Sequence, residues 1–284
     1  EEAEPLFREV LSRIEKHGST ATSDYSTTLQ NLATLYQIQG NLSQASELLE
    51  KTLAIDEKVF GTNHPQYIIA LKNLGVLYQK QGKLADAQRL LERALEVTRN
   101  VHGVDHPSYA VTVSNLAALY QDQSKYAEAE QAWRESVDLR KRILGEEHPD
   151  YARSLYGLAS IYFAVGNLEK ADEYFKVVIG QYLKQIKENF PFMSEKEKGA
   201  FYLKIQPVFE SYQDFCVQYV TREPGSERAA ETLFKLYDIQ LSTKAILLNS
   251  TAKVRQQILA TQDAKTIEIY TQWLATKETI GRYY

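Results

Sequence analysis

One thiol, five histidines and scattered carboxylates are the groups in this 284-residue chain that could carry chemistry. Cys216 is the sole candidate thiol nucleophile, in the string YQDFCVQYV. That string has the pattern of an amphipathic helix and lacks the glycine-flanked context of a caspase-type nucleophile. Free cysteine is among the most buried residue types, so Cys216 reads as a core residue. His64, His106 and His148 each precede a proline and recur at steps of 42. Zinc needs all its ligands about 2 Å from one ion, whereas one histidine per repeat places them a layer apart. The His-Pro pattern suits a side chain that caps the helix following it. His102 takes the place that Phe60 and Leu144 hold in the same step, and reads as packed. Glu195 and Glu197 fit the first turn of a helix, where the dipole favours acidic groups, better than an acid/base pair. No Gly-x-x-x-x-Gly-Lys-Ser/Thr loop or Gly-x-Gly-x-x-Gly turn is present to cradle phosphate. No catalytic residue, no metal site and no cofactor are expected.

The step of 42 that disposes of the histidines also organises the chain. Tyr25, Tyr67, Tyr109 and Tyr151 keep it, as do Leu32/Leu74/Leu116/Leu158, Tyr36/Tyr78/Tyr120/Tyr162 and Ala45/Ala87/Ala129/Ala171. In YIIALKNLGVLYQKQG, Leu71, Leu74, Leu77 and Tyr78 are three or four apart, one face of a helix. Gly82 stops that helix and LADAQRLLERALEVTRN forms a second, with Leu84, Ala87, Leu90, Leu91, Ala94 and Leu95 on its buried stripe. Gly103 ends the second helix, and Pro107 opens the next at the position where a missing N–H costs nothing. Small residues on the first helix (Ala33, Gly75, Ala117, Ala159) let the pair approach closely. Neither helix buries its stripe alone, so stacked neighbours must supply the core.

These units resemble tetratricopeptide repeats, through NLATLYQIQGNLSQASELLEKTL, NLGVLYQKQGKLADAQRLLERAL and NLAALYQDQSKYAEAEQAWRESV. The 42-residue length and the Gly-x-x-His-Pro link are similar to the subclass found in kinesin light chains. The expected fold is therefore all-α, a right-handed α-solenoid with a C-terminal helical extension. Residues 1–24 are expected to be the second helix of a truncated repeat plus a link, because Ala3, Leu6 and Phe7 lie one step before Ala45, Leu48 and Leu49. Residues 25–189 are four repeats and residues 190–284 the extension. The chain starts in mid-unit and reads as a cut fragment.

The fourth repeat departs from the pattern: Gly157 replaces the recurring Asn, and Lys187 stands where glycine ended the earlier units. Its second helix is expected to run on to about Asn189, where FPF breaks it. Ser194 and Glu197 form a capping box for a helix that Pro207 is expected to kink. Further helices are expected at 226–248, 251–260 and 264–284. NFPFMSEKEKGAF, LSTKAILLNS and TIEIYTQWLATKE resemble the helical segment after tetratricopeptide arrays in bacterial proteins ending in a CHAT domain, a caspase-like peptidase fold. That resemblance implies a peptidase domain beyond Tyr284, with this chain as its regulatory arm.

A net charge of −4 offers no basic field for nucleic acid or an anionic membrane. No run of 18 apolar residues occurs and no leader peptide is visible, although the compartment is not read from this end of the chain. A cytoplasmic location is the expectation. The sequons at Asn41 and Asn249 read as chance matches.

In the tetratricopeptide family the first helix of each pair lines a concave groove, and the resemblance places Asn31, Asn73 and Asn115 there, with Gln37, Gln79 and Gln121 almost two turns on. Each amide both donates and accepts, so such a ladder can bond the backbone of an extended peptide without reading its side chains. Alternatively, the Asn bonds the neighbouring repeat and orders the stack, and the Gln are a solvated face. Lys72, Lys80, Arg153 and Tyr156 share the face, with Asp122 as the opposing charge. The expected partner is a protein or extended peptide segment, including the chain's own downstream domain. Self-association or docking through the aromatic-rich C-terminal helices is the competing role.

Overall fold

Helix boundaries follow from the residues that cap them. In the computed structural model, which describes residues 3–222 and Leu236, ten α-helices succeed one another and no strand occurs among the described residues. They are α1 (Ala3–Lys16), α2 (Ser23–Ile38), α3 (Leu42–Phe60), α4 (Pro65–Lys80), α5 (Leu84–His102), α6 (Pro107–Asp122), α7 (Tyr126–Leu144), α8 (Pro149–Ala164), α9 (Leu168–Asn189) and α10 (Glu195–Arg222). The Nδ1 atoms of His64, His106 and His148 accept hydrogen bonds from the backbone N–H of Gln66, Ser108 and Asp150, at 3.2, 3.1 and 3.1 Å. Each satisfies a donor that the first turn of a helix leaves without a partner. Thr22 does the same for α2, accepting from Tyr25 N–H at 3.3 Å. At the C-terminal ends of α4 and α6 the chain turns through the left-handed region. Gly82 is there at φ 75°, and Ser124 adopts φ 58° at the equivalent place.

Residues up to 181 group as one compact unit and residues from 182 onward as another. In the first, paired helices stack by repetition. Leu32, Leu74, Leu116 and Leu158 are buried, and Ala45, Ala87, Ala129 and Ala171 are completely so. The close approach expected from the small residues is real: a Cβ on Gly75 would lie 2.9 Å from Leu91 Cγ.

The recurring tyrosines tie each layer to the next. The hydroxyl of Tyr36 accepts from Arg8 Nη2 at 2.7 Å, Tyr78 donates to Glu50 at 2.7 Å, and Tyr162 accepts from Arg134 at 2.6 Å. The partner is always 28 residues earlier, so α1 meets α2 in the register that α3 keeps with α4. Burial, reinforced by the glutamates they bond, pushes the Tyr78 and Tyr162 phenols up to about 12. Tyr25 and Tyr109 bridge two second helices: Tyr25 donates to Glu15 and accepts from Lys51, whereas Tyr109 accepts from Arg99 and donates to Glu135.

The second unit holds the C-terminal part of α9, a 3-10 turn at Phe190–Phe192, and α10. α9 ends where the sequence pattern predicts. The capping box forms as expected, with Ser194 N–H donating to Glu197 Oε2 at 2.8 Å and Glu197 N–H to Ser194 Oγ at 3.4 Å. α10 runs through Pro207 as one helix. Phe190, Phe209, Tyr212, Phe215 and Tyr219 are buried, with Phe190 edge-on to Phe201 at 5.6 Å. The helices expected at 226–248, 251–260 and 264–284, the strings LSTKAILLNS and TIEIYTQWLATKE, and Asn249 lie outside the described residues. No described helix is long and apolar enough to cross a membrane.

Candidate peptide-binding face

The residues expected to face a ligand all sit on α2, α4, α6 and α8, the first helices of their pairs. Asn31 is exposed, and Asn73 and Asn115 are half-buried. None of the three side-chain amides makes a hydrogen bond to another described residue, although their polar neighbours do. Gln79 Nε2 donates to Asp122 Oδ2 at 2.7 Å, and Lys80 Nζ to Gln37 Oε1 at 3.4 Å. Both pairs are 43 residues apart, so they stitch one first helix to the next. Gln79 and Gln37 are therefore partly engaged in ordering the stack. Gln121 is half-buried on α6.

Lys72 is half-buried, and its ammonium donates to Ser108 Oγ at 3.1 Å. Burial holds its pKa below the usual lysine range. Arg153 is exposed and lies 3.5 Å from Asp150. Tyr156 is half-buried, its ring 6.3 Å from that of Phe175.

Two features beneath this face are invisible in the sequence. The first is a buried polar ladder across α6, α7 and α8. Ser114 and Ser136 hydroxyls are 2.9 Å apart and Ser136 and Ser154 2.8 Å apart, and Arg140 Nη1 donates to Ser154 Oγ at 2.6 Å and Asp150 O at 2.8 Å. Arg140 is 1% exposed. Burial first, then the charge of Arg153, pushes its pKa down to about 10, with Asp150 opposing. The second explains why Gly157 interrupts the Asn series. A Cβ there would come 2.7 Å from Cε3 of Trp133 and closer still to Cδ2 and Cε2. Trp133 stands where Leu49 and Leu91 stand in earlier repeats, so the larger ring fills the space an Asn side chain would need. Gln81 and Gln123 also escape a reading of the sequence alone. Their Nε2 atoms donate to Leu42 O at 2.9 Å and Leu84 O at 3.4 Å, joining each first helix to the preceding second helix. Their 42-residue spacing is the signal that could have found them.

The groups that first suggested chemistry are occupied structurally. The histidines before proline cap helices. His102 stacks on His106 with centroids 4.3 Å apart, and its pKa is held down by burial, then by the charges of His106 and Lys72. Cys216 is buried in α10. Among the described residues no three His, Cys, Asp or Glu side chains group as metal ligands would.

Comparison with known proteins places this arrangement. The chain resembles the kinesin light chain nearly identical TPR-like repeats of Podosopora anserina. For a single-substitution form of those repeats, identity is 27%, the TM-score is 0.57, and 66% of this chain and 86% of that one are covered. A second structure of those repeats gives 28% identity and a TM-score of 0.56 over 65% and 87%. BtubC (BKLC) from P. vanneervenii shares the fold at 16% identity, with a TM-score of 0.61 over 85% of this chain and 90% of that one. No curated protein matches the sequence. The tetratricopeptide repeat model matches residues 1–58, 24–100, 73–141 and 108–184, which together span 1–184. With matched repeats across most of its length and the paired helices to go with them, this protein-interaction scaffold belongs to the tetratricopeptide repeat family.

Proposed function

We propose that the face formed by Asn31, Asn73, Asn115, Gln37, Gln79, Gln121, Lys72, Arg153 and Tyr156 holds an extended peptide, and that binding, not catalysis, is the function. The observation that carries this reading is the unspent amide of Asn73 and Asn115. Asparagine is a mediocre helix former, and here it recurs in mid-helix without bonding its neighbours, so ordering the stack does not account for it. A peptide backbone laid along the face offers each amide the complementary donor and acceptor. Lys72 and Arg153 favour acidic residues in that peptide.

Residues 1–24 act as the closing half of a preceding repeat, 25–189 as the four-repeat receptor and 190–284 as a helical extension. In the larger arrangement the receptor regulates a downstream caspase-like domain of the CHAT type, and works in the cytoplasm. The resemblance of NFPFMSEKEKGAF and the two later strings supports that link. Sequencing the natural protein past Tyr284 tests it: paired His and Cys in a caspase-like domain are expected, and a natural mass of 32.5 kDa would leave a free-standing adaptor.

The groove itself is tested with peptides selected from a random extended library. Asn73→Ala with Asn115→Ala is expected to weaken binding about tenfold or more, since each neutral hydrogen bond contributes roughly 0.5–1.5 kcal/mol. Helicity is expected to be retained and melting to hold or rise slightly, alanine being the better helix former. Unaltered affinity would make the Asn series structural. Phe192, 89% exposed, favours assembly through the C-terminal helices as a second reading. Mass that rises with concentration in light scattering would support it, and constant mass would refute self-association.

A further inference from the structure

The second helices contain a break in the repeat that opens a cleft. Leu48, Leu90 and Tyr174 share one place in the 42-residue step on α3, α5 and α9, and Ala132 holds it on α7. Leu48 and Leu90 pack against the buried cluster of the first two repeats. At Ala132 a cleft of about 250 Å³ appears instead, floored by Leu95, Val113 and Leu116, walled by Tyr120 and rimmed by Glu128 and Glu135. It is smaller than the ~300–1,000 Å³ of ordinary ligand pockets, a size that suits one large apolar side chain.

Val113, Leu116 and Tyr120 share one face of α6. At about 100° per residue, Asn115 and Gln121 lie roughly 130° and 105° from the centre of that face, on its two sides, so the face they define points away from it. The cleft is therefore separate from the peptide-binding face.

The charge around it is mainly negative. Glu128 and Glu135 are exposed, and the charges of Glu92 and Glu128 reach Tyr120. The cations nearby have partners. Lys125 donates to Gln88 at 3.3 Å while its ammonium is 5.8 Å from the Tyr120 ring centroid, and Arg99 donates to Tyr109 at 2.9 Å. Tyr109 in turn donates to Glu135 at 3.2 Å, leaving that carboxylate further acceptor sites.

We propose that this cleft is a second docking site, for a partner-protein segment that inserts one leucine- or aromatic-sized side chain flanked by lysine or arginine. The apolar floor takes the side chain, and Glu128 and Glu135 face the flanking cations. The missing side chain at Ala132 sets the size of the occupant, and the acidic rim sets its charge.

The probes are the capped tripeptides Lys-Trp-Lys and Glu-Trp-Glu, titrated into the full chain and followed by backbone amide NMR. Lys-Trp-Lys is expected to give saturable shifts at Ala132 and Leu116, and Glu-Trp-Glu to bind at least about tenfold more weakly. Ala132→Leu restores the residue of the earlier repeats, so it is expected to fold with an undiminished melting temperature and to lose the shifts. The Asn73/Asn115 alanine pair is expected to keep them, which separates this site from the groove. Absence of saturable shifts, equal binding of the two peptides, or equal binding to Ala132→Leu would overturn the proposal. A dimer of the wild-type chain that Ala132→Leu dissolves would overturn it too, by assigning the cleft to a second copy.

Discussion

Replacing Gly157 by alanine is expected to destabilise the protein, against the rule that alanine outranks glycine in a helix. Gly157 is in the interior of α8, where helix propensity alone would favour alanine by about 1 kcal/mol. The added methyl would sit 2.7 Å from one carbon of the Trp133 indole and nearer to two others. Carbon atoms pack at roughly 3.5–4.0 Å, so the ring or the helix must shift by about 1 Å. Trp133 is 7% exposed, so its bulky ring has little room to move aside, and overpacking of this kind costs about 1–3 kcal/mol, here toward the upper end. The net loss is about 2 kcal/mol, or a fall of roughly 4–8 °C in melting temperature. Thermal melts followed by far-UV circular dichroism and by tryptophan fluorescence measure it. A Trp133→Leu background supplies the control, because leucine is the residue of the two preceding repeats. In that background Gly157→Ala is expected to be neutral or stabilising, giving a coupling of about 2–3 kcal/mol between the sites. Gly75→Ala offers a second comparison. Its methyl would meet Leu91 at 2.9 and 3.0 Å, and a flexible side chain yields more easily than an indole. A higher melting temperature for Gly157→Ala, or an equal loss in both backgrounds, would refute the reasoning and reopen a functional reason for the gap in the Asn series.

Two further outcomes follow from buried or strained groups. Asp56 accepts from Ser26 Oγ at 2.5 Å, while its other carboxylate oxygen is buried without a partner. Burial raises its pKa above the ordinary 3.8, with Ser26 and His64 opposing. A carboxyl with a raised folded pKa binds its proton more readily folded than unfolded, so its penalty applies above the folded pKa and fades as pH falls toward 3.8. Asp56→Asn is therefore expected to melt higher than wild type at pH 7, with the gap closing on acidification; denaturant titrations across pH check this, and a gap independent of pH would refute it. Ser124→Gly is expected to stabilise by about 0.5–1 kcal/mol, because Ser124 holds φ 58° where other repeats use glycine. Chemical denaturation measures it, and a loss of stability would mean that the serine hydroxyl contributes more than the strain costs.

The repeat, its helices and their caps could be read in the sequence because those signals are local. Helix periodicity, a glycine after the last turn and a histidine before proline each act within a few residues, and a 42-residue period then carries one unit's reading to the others. Cys216 and the helix-capping histidines were legible for the same reason. The relations that tertiary structure decided join residues far apart in sequence. Gln79 reaches Asp122 across one whole repeat, so which amides of the candidate face are already engaged depends on how adjacent layers are rotated. In the sequence Gly157 is only a gap in the Asn series; in the fold Trp133 fills the space. Ala132 likewise reads as an ordinary helix former, and only packing reveals the cleft above it. Arg140 occupies the place of Asp56 and Thr98 in the step, and only packing against α8 supplies the hydroxyl and carbonyl that accept from its buried Nη1, while Nη2 has no partner among the described residues. A period determines which residues occupy equivalent places. What each residue does there depends on the volume and polarity of its neighbours on other helices, and those differ from one layer to the next.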